Sequence, residues 1–238
     1  MSIADILTRI AGKISKVFDA GKKAGRDAEW SEFWDAYQDG GYKTGWNYAF
    51  YGSHWNDTNF KPKYDITFSS NMNNYTDVFR GSYITDLKGI LERQGRSLDT
   101  SGCSGTNSIA LFNQCSKLAH VPILNVSNAP SGVGSLFNGC KDLQYVEKLI
   151  LSENGTKFSN TTFTNCNALE EIRFEGKIAS DINFGDCSSL SNDSTDSIIN
   201  ALSDTTTGLT CTIYLTSYLA NNWDELIARK PNWRFASA

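Results

Sequence analysis

Apolar and polar residues follow three different rhythms along this chain. Over residues 1–29, apolar or small residues stand at Ile3, Leu7, Ile10, Ile14, Val17, Gly21, Ala24 and Ala28. Alternating steps of four and three are the spacing of a heptad seam, and they predict an amphipathic helix. Ile3, Leu7, Ile10, Ile14 and Val17 are its candidate oligomerisation residues. Isoleucine at both seam positions of the second heptad favours three strands over two, and the small residues Gly21, Ala24 and Ala28 let the seam narrow or fray. A lone helix of this length is marginal in water. The stripe therefore needs a partner: further copies of the chain in a homotrimer, or the chain's own body.

The second rhythm is aromatic. Trp30, Phe33, Trp34 and Tyr37 keep helical spacing and carry the helix to about Gln38, where Gly40-Gly41 ends it. This defines an N-terminal oligomerisation or anchoring helix over 1–38. Residues 39–68 are crowded with rings and turn formers, include Pro62, and read as an aromatic-rich collar leading into a short strand. Rings at this density can stack on sugars, but at helical spacing they read first as core. His54 beside Trp55 has no second histidine or cysteine near it and reads as structural.

The third rhythm is a repeat. Phe112, Phe137, Phe163 and Phe184 are each followed three residues on by Cys115, Cys140, Cys166 and Cys187. Three further on stand Leu118, Leu143, Leu169 and Leu190, then Val121, Val146 and Ile172 after the first three copies. The motifs are 25, 26 and 21 residues apart, inside the range of leucine-rich repeats. Short apolar segments follow ("PILNV", "KLILS", "RFEGKI"), and a degenerate unit precedes them around Phe79, Tyr83, Ile84 and Leu87. Such periodicity predicts a solenoid over 69–204, in which each unit buries its apolar face against its neighbours. The pattern changes after Cys187, where a helix opens near Asp193 or Ser194; residues 205–238, with a strand in "LTCTIYL" and a last helix broken by Pro231, are expected to cap the solenoid. Trp223 and Trp233 are the large groups expected to cover the end. The fold class expected is α+β: N-terminal helix, collar, short leucine-rich-repeat solenoid and cap.

Composition narrows the chemistry. Net charge is −4 with only 2 histidines and 6 cysteines in 238 residues. A mildly acidic chain without a Lys/Arg block is a poor nucleic-acid binder. No apolar run approaches the ~18 residues that span a bilayer. The start places Asp5 early and lacks the apolar core of a secretory signal, so maturation in reducing cytoplasm is expected. The cysteines recur one per unit, without Cys-x-x-Cys or zinc spacing. A thiol in a ladder with two equal neighbours has no reason to choose a disulfide partner, and near-identical copies cannot each be an active site. Buried cysteine behaves as a small apolar residue, so these read as core. His120 after the first motif has no counterpart in the other units. No carboxylate pair, phosphate loop or nucleophile elbow emerges, so neither catalysis nor a cofactor or metal is expected. The Asn-x-Ser/Thr triplets at Asn125, Asn154 and Asn160 read as polar loop sequence.

The Phe-x-x-Cys-x-x-Leu-x-x-Val/Ile motif resembles the bacterial surface-antigen (BspA-like) type of leucine-rich repeat. "FWDAYQDGG", "YAFYGSHWNDTNFKPKYDI" and "NWDELIARKPNWRFA" resemble segments of phage and prophage structural proteins. The chain departs from a regular member at Phe79, which no cysteine follows, and at Ser191-Asn192, which replace the apolar continuation. The resemblance implies a non-enzymatic virion protein (fibre, tail tip or decoration) assembled in the host cytoplasm and released by lysis. Its implied partners are itself, other virion proteins, and a glycan or protein of the bacterial surface. A cellular adhesin or interaction scaffold is the alternative, and a polysaccharide depolymerase a lesser one.

Overall fold

A computed structural model describes residues 50–53, 55–62, 65–68, 75–103, 109–129 and 132–238. The heptad seam, the aromatic helix over 30–38 and His54 lie outside the described residues.

Each Phe-x-x-Cys unit is a tight turn. The Cys115, Cys140, Cys166 and Cys187 N–H groups donate back to the carbonyls of Phe112, Phe137, Phe163 and Phe184 at 3.0–3.2 Å. Closing so short a loop drives the residue before each of the first three cysteines toward positive φ: Gln114 at 61°, Gly139 at 79° and Asn165 at 60°. Gly81 takes the same place, at 67°, in the unit headed by Phe79. Their outward N–H groups are answered by the following unit: Gly81 by Asn113 O (3.1 Å), Gln114 by Asn138 O (2.6 Å) and Gly139 by Thr164 O (2.8 Å). For Asn165 the Asp186 carboxylate takes over at 2.8 Å.

The units stack in parallel, and their phenylalanines stack with them. Ring centroids run from Phe50 to Phe79 (5.0 Å), Phe112 (5.1 Å), Phe137 (5.8 Å), Phe163 (5.8 Å) and Phe184 (4.5 Å). Phe50 is braced by Trp55 and Phe60, both buried and edge-on to it. Leu118, Leu143 and Leu169 are buried, as are Val121, Val146 and Ile172 behind them.

Strands form only in short pieces. β1 (Ile66–Thr67) pairs with β2 (Leu98–Asp99). In a second sheet β5 (Tyr145–Ile150) pairs with β3 (His120–Val121), β4 (Leu124–Asn125) and β6 (Glu171–Glu175). β7 (Ile182–Phe184), β8 (Thr210–Ile213) and β9 (Arg234–Ser237) form a third. All these pairings are parallel. Three helices complete the described body: α1 (Leu87–Arg93), α2 (Asn192–Ala201) and α3 (Ser217–Ala228).

The expected solenoid is therefore corrected. What forms is a small mixed α+β body of three short helices and short parallel strands in three separate sheets, without solenoid closure. Two physical causes are visible. The units differ in length, with 33 residues from Phe79 to Phe112 and 21 from Phe163 to Phe184, and pairing holds only over short stretches: His120, Tyr145 and Glu171 line up, but the ladder shifts between Val146 and Leu149. Helices also take the places where the next strands would lie. α1 follows Thr85, whose carbonyl receives the Ala119 and His120 N–H groups at 2.7 and 3.1 Å. α2 lies along the free edge of β6. There the Ser194 and Ser197 hydroxyls, one helical turn apart, each accept a strand N–H at 2.9 Å, from Ile172 and Phe174. A side-chain hydroxyl can satisfy one strand N–H, but it offers no further edge on which a sheet could grow.

Each helix start has a local cause. Asp86 caps α1, its carboxylate accepting the Gly89 N–H at 2.8 Å. A Cβ on Gly89 would stand 2.0 Å from the Asp86 carboxylate, so glycine makes room for the cap. α2 is capped by Ser191, upstream of the Asp193 or Ser194 start expected, with its hydroxyl accepting the Ser194 N–H at 3.2 Å. Thr216 caps α3 in the same way at Leu219. At the far end Trp233 is buried and donates its indole N–H to Ser203 O at 2.8 Å. Trp223 is half-buried, edge-on to Phe235. Lys230 is also buried, its ammonium reaching Leu202 O at 2.6 Å and the Asp204 carboxylate at 2.5 Å. Residues 205–238 are continuous with the last unit, because β8 extends the sheet that β7 begins.

Candidate functional site

The repeated residues are consumed by packing. Phe112, Cys115, Leu118, Phe137, Cys140, Leu143, Phe163, Cys166, Leu169, Phe184 and Cys187 are at most 1% exposed, and Leu190 is 6% exposed. All six cysteines are free thiols and buried. Each motif thiol points at the phenylalanine carbonyl of the preceding unit: Cys115 Sγ to Phe79 O at 2.8 Å, Cys140 to Phe112 O at 3.1 Å, Cys166 to Phe137 O at 3.1 Å, and Cys187 to Phe163 O at a looser 3.9 Å. The first three of these carbonyls thus take a backbone N–H from their own turn and an S–H from the next. Ser82 fills the cysteine position after Phe79, buried and 3.6 Å from Cys115 Sγ. Burial pushes the thiols up from their ordinary 9.0, to about 11 for Cys115 and about 12 for Cys166 and Cys211. A thiol held neutral at physiological pH is neither a nucleophile nor a metal ligand.

Outward chemistry gathers beside β6. A groove of about 530 Å³ runs between that strand and α2, with Lys148, Arg173 and Glu175 along one side and Asp193, Asp196 and Asn200 along the other. Phe174, Gly176 and Ala201 supply its apolar lining. Phe174 is anchored edge-on against Phe158 and Phe184, at 6.4 and 6.2 Å, and stays half-buried. Lys148 pairs with Glu175 at 2.9 Å. Asp196 is held from behind by Arg229 (2.6 Å) and by the Tyr218 hydroxyl (3.1 Å). Arg229 also donates to the Asn200 side-chain oxygen. Tyr218 is raised above its ordinary 10.0 by desolvation first and by the hydrogen bond to Asp196 second, so it stays a donor. Among the described residues, the Arg173 guanidinium, the Asp193 carboxylate and the Asn200 Nδ2 have no protein partner. The lining carries two cations (Lys148, Arg173) and three carboxylates (Glu175, Asp193, Asp196), and Arg229 behind the groove offsets Asp196, so charge is close to balanced.

None of these groove residues belongs to the repeated motif, and sequence periodicity does not mark them. One sign was present: Ser194 and Ser197 fall on the helix face that Ile198 buries, where a polar residue needs a partner. His120 lies elsewhere, half-exposed, with Nδ1 3.3 Å from Asp86 and its ring edge-on to Tyr145. Among the described residues no group of three His, Cys, Asp or Glu side chains could hold a metal ion, and no helix is long and apolar enough to cross a membrane. Ile3, Leu7, Ile10, Ile14 and Val17 are outside the described residues. Comparison with protein families, with curated proteins and with solved structures finds no match to this chain.

Proposed function

We propose that the chain is a non-enzymatic phage virion protein, of the fibre, tail-tip or decoration kind, that presents the outer surface of its repeat body to a bacterial host. The observation that carries this reading is the division of labour between motif and surface. The repeated phenylalanines, cysteines and leucines are spent on the interior, and the unengaged polar groups sit on an open, shaped surface beside β6. Burial also takes the thiols out of chemistry. The BspA-like motif and the phage-like segments support the virion context, with assembly in the host cytoplasm.

Self-association through Ile3, Leu7, Ile10, Ile14 and Val17 would join three such surfaces on one stalk. Joined weak sites gain about 10²–10⁴ in avidity over one. Two measurements test the reading. Light scattering on the full chain and on a chain lacking residues 1–29 should give a trimer and a monomer; a monomer in both cases removes the stalk. Purified protein should compete with phage adsorption to the host, and no competition at any reachable concentration removes the attachment role.

A further inference from the structure

We infer that the groove between β6 and α2 is a binding site for neutral sugar residues, recognised through Arg173, Asp193 and Asn200 with the apolar lining of Phe174 and Gly176. This inference rests on the host-binding reading for its biological setting but not for its chemistry. The volume of about 530 Å³ falls inside the roughly 300–1,000 Å³ of small-molecule sites.

Its lining selects the ligand class. A cation would need converging carboxylates, and of the three here Glu175 and Asp196 are already paired, with Lys148 and Arg229. A polyanion would need a surplus of basic groups, and there is none. A sugar ring presents hydroxyls that both donate and accept around an apolar C–H face. The groove answers with a donor fork on Arg173, an acceptor pair on Asp193, an amide donor on Asn200, and an apolar lining. The partners behind it are already fixed. Arg229 holds Asp196 and Asn200, and Ser197 is committed to the Phe174 N–H. The amide Nδ2 of Asn200 is thereby oriented before any ligand arrives, which lowers the ordering cost of binding.

The test uses the full chain, isotopically labelled, titrated with short neutral hexose and N-acetylhexosamine oligosaccharides, and with oligogalacturonate as a polyanionic probe. The expected result is a set of amide shifts confined to Gly176, Asp193, Ser197 and Asn200 with at least one neutral probe. Arg173→Ala and Asp193→Asn, both at exposed positions, should each weaken that binding about tenfold or more, the loss of one charge-assisted hydrogen bond, with unchanged melting temperatures. Shifts caused only by oligogalacturonate, shifts mapping to another face, or binding unaltered in both variants would each overturn the assignment. Phage adsorption is read in parallel. A neutral sugar bound in the groove without any competition for adsorption supports the site while removing the attachment role; competition that persists in both variants with no sugar bound does the reverse.

Discussion

At the scale of single residues, the cysteine is the informative one. Its Sγ–H reaches a carbonyl one unit away that a leucine or valine could not satisfy, and its small volume fits beneath the phenylalanine stack. Ser82 shows which part of that role is polar: a hydroxyl takes the same position in the unit headed by Phe79. Buried neutral thiols make two linked expectations. Native protein should be alkylated negligibly by iodoacetamide near pH 8, with six thiols appearing only in denaturant; rapid native labelling would show that the units open. The folded thiols titrate at about 11 and about 12, above the ordinary 9.0. The unfolded chain therefore loses thiol protons first as pH rises, so the thiol contribution to stability is complete below about pH 9 and declines toward pH 12. Urea midpoints across that range, compared with a Cys115→Ser/Cys166→Ser variant, isolate the contribution. A slope unchanged by the substitutions would exclude it.

At the scale of elements, the helix placements decide where sheets stop. α2 ends the central sheet through two serines, and Ser194 is the more committed. It accepts from Ile172 N–H and donates to Glu170 O at 3.0 Å while buried. Ser194→Ala leaves the buried Ile172 N–H without its partner, which costs about 1–3 kcal/mol, while the Glu170 carbonyl keeps the Ser191 N–H at 2.9 Å. Ser197→Ala, at a half-buried position, should cost less than Ser194→Ala. Urea unfolding of both variants measures the order, and equal or negligible losses would show that water replaces the hydroxyls. The repeat spacing marked short apolar segments after the first three motifs, and short strands form there. It did not reveal that helices would occupy the sheet edges, because a serine on a helix face names no partner until the strand beside it is known. The groove was hidden for the same reason: Arg173 and Asp193 are ordinary polar residues in sequence, 20 positions apart.

At the scale of the whole molecule, the phenylalanine stack links every described unit from Phe50 to Phe184. A stack of units with contacts only between neighbours loses most when an interior member is removed. Phe137 stands in the middle, fully buried between Phe112 and Phe163. Phe137→Ala should cost about 3–5 kcal/mol through lost burial and the cavity left behind. Chemical denaturation should register the loss in far-ultraviolet circular dichroism and tryptophan fluorescence alike. A loss under about 1 kcal/mol, close to the scale of a surface substitution, would mean that the stack is not what holds the units together.

By itself the sequence determined the interior of this protein. A residue recurring at a fixed spacing, apolar each time, can be satisfied in every copy only by stacking the copies, and Phe112, Cys115, Leu118 and their equivalents do lie in one buried column. Tertiary structure alone decided how far the strands extend and what the surface offers. Sheet growth depends on whether the neighbouring N–H groups meet another strand or the hydroxyls of Ser194 and Ser197. The groove depends on which of many scattered polar side chains find partners. Periodicity records what each unit must bury; it carries no record of contacts made between residues that do not repeat.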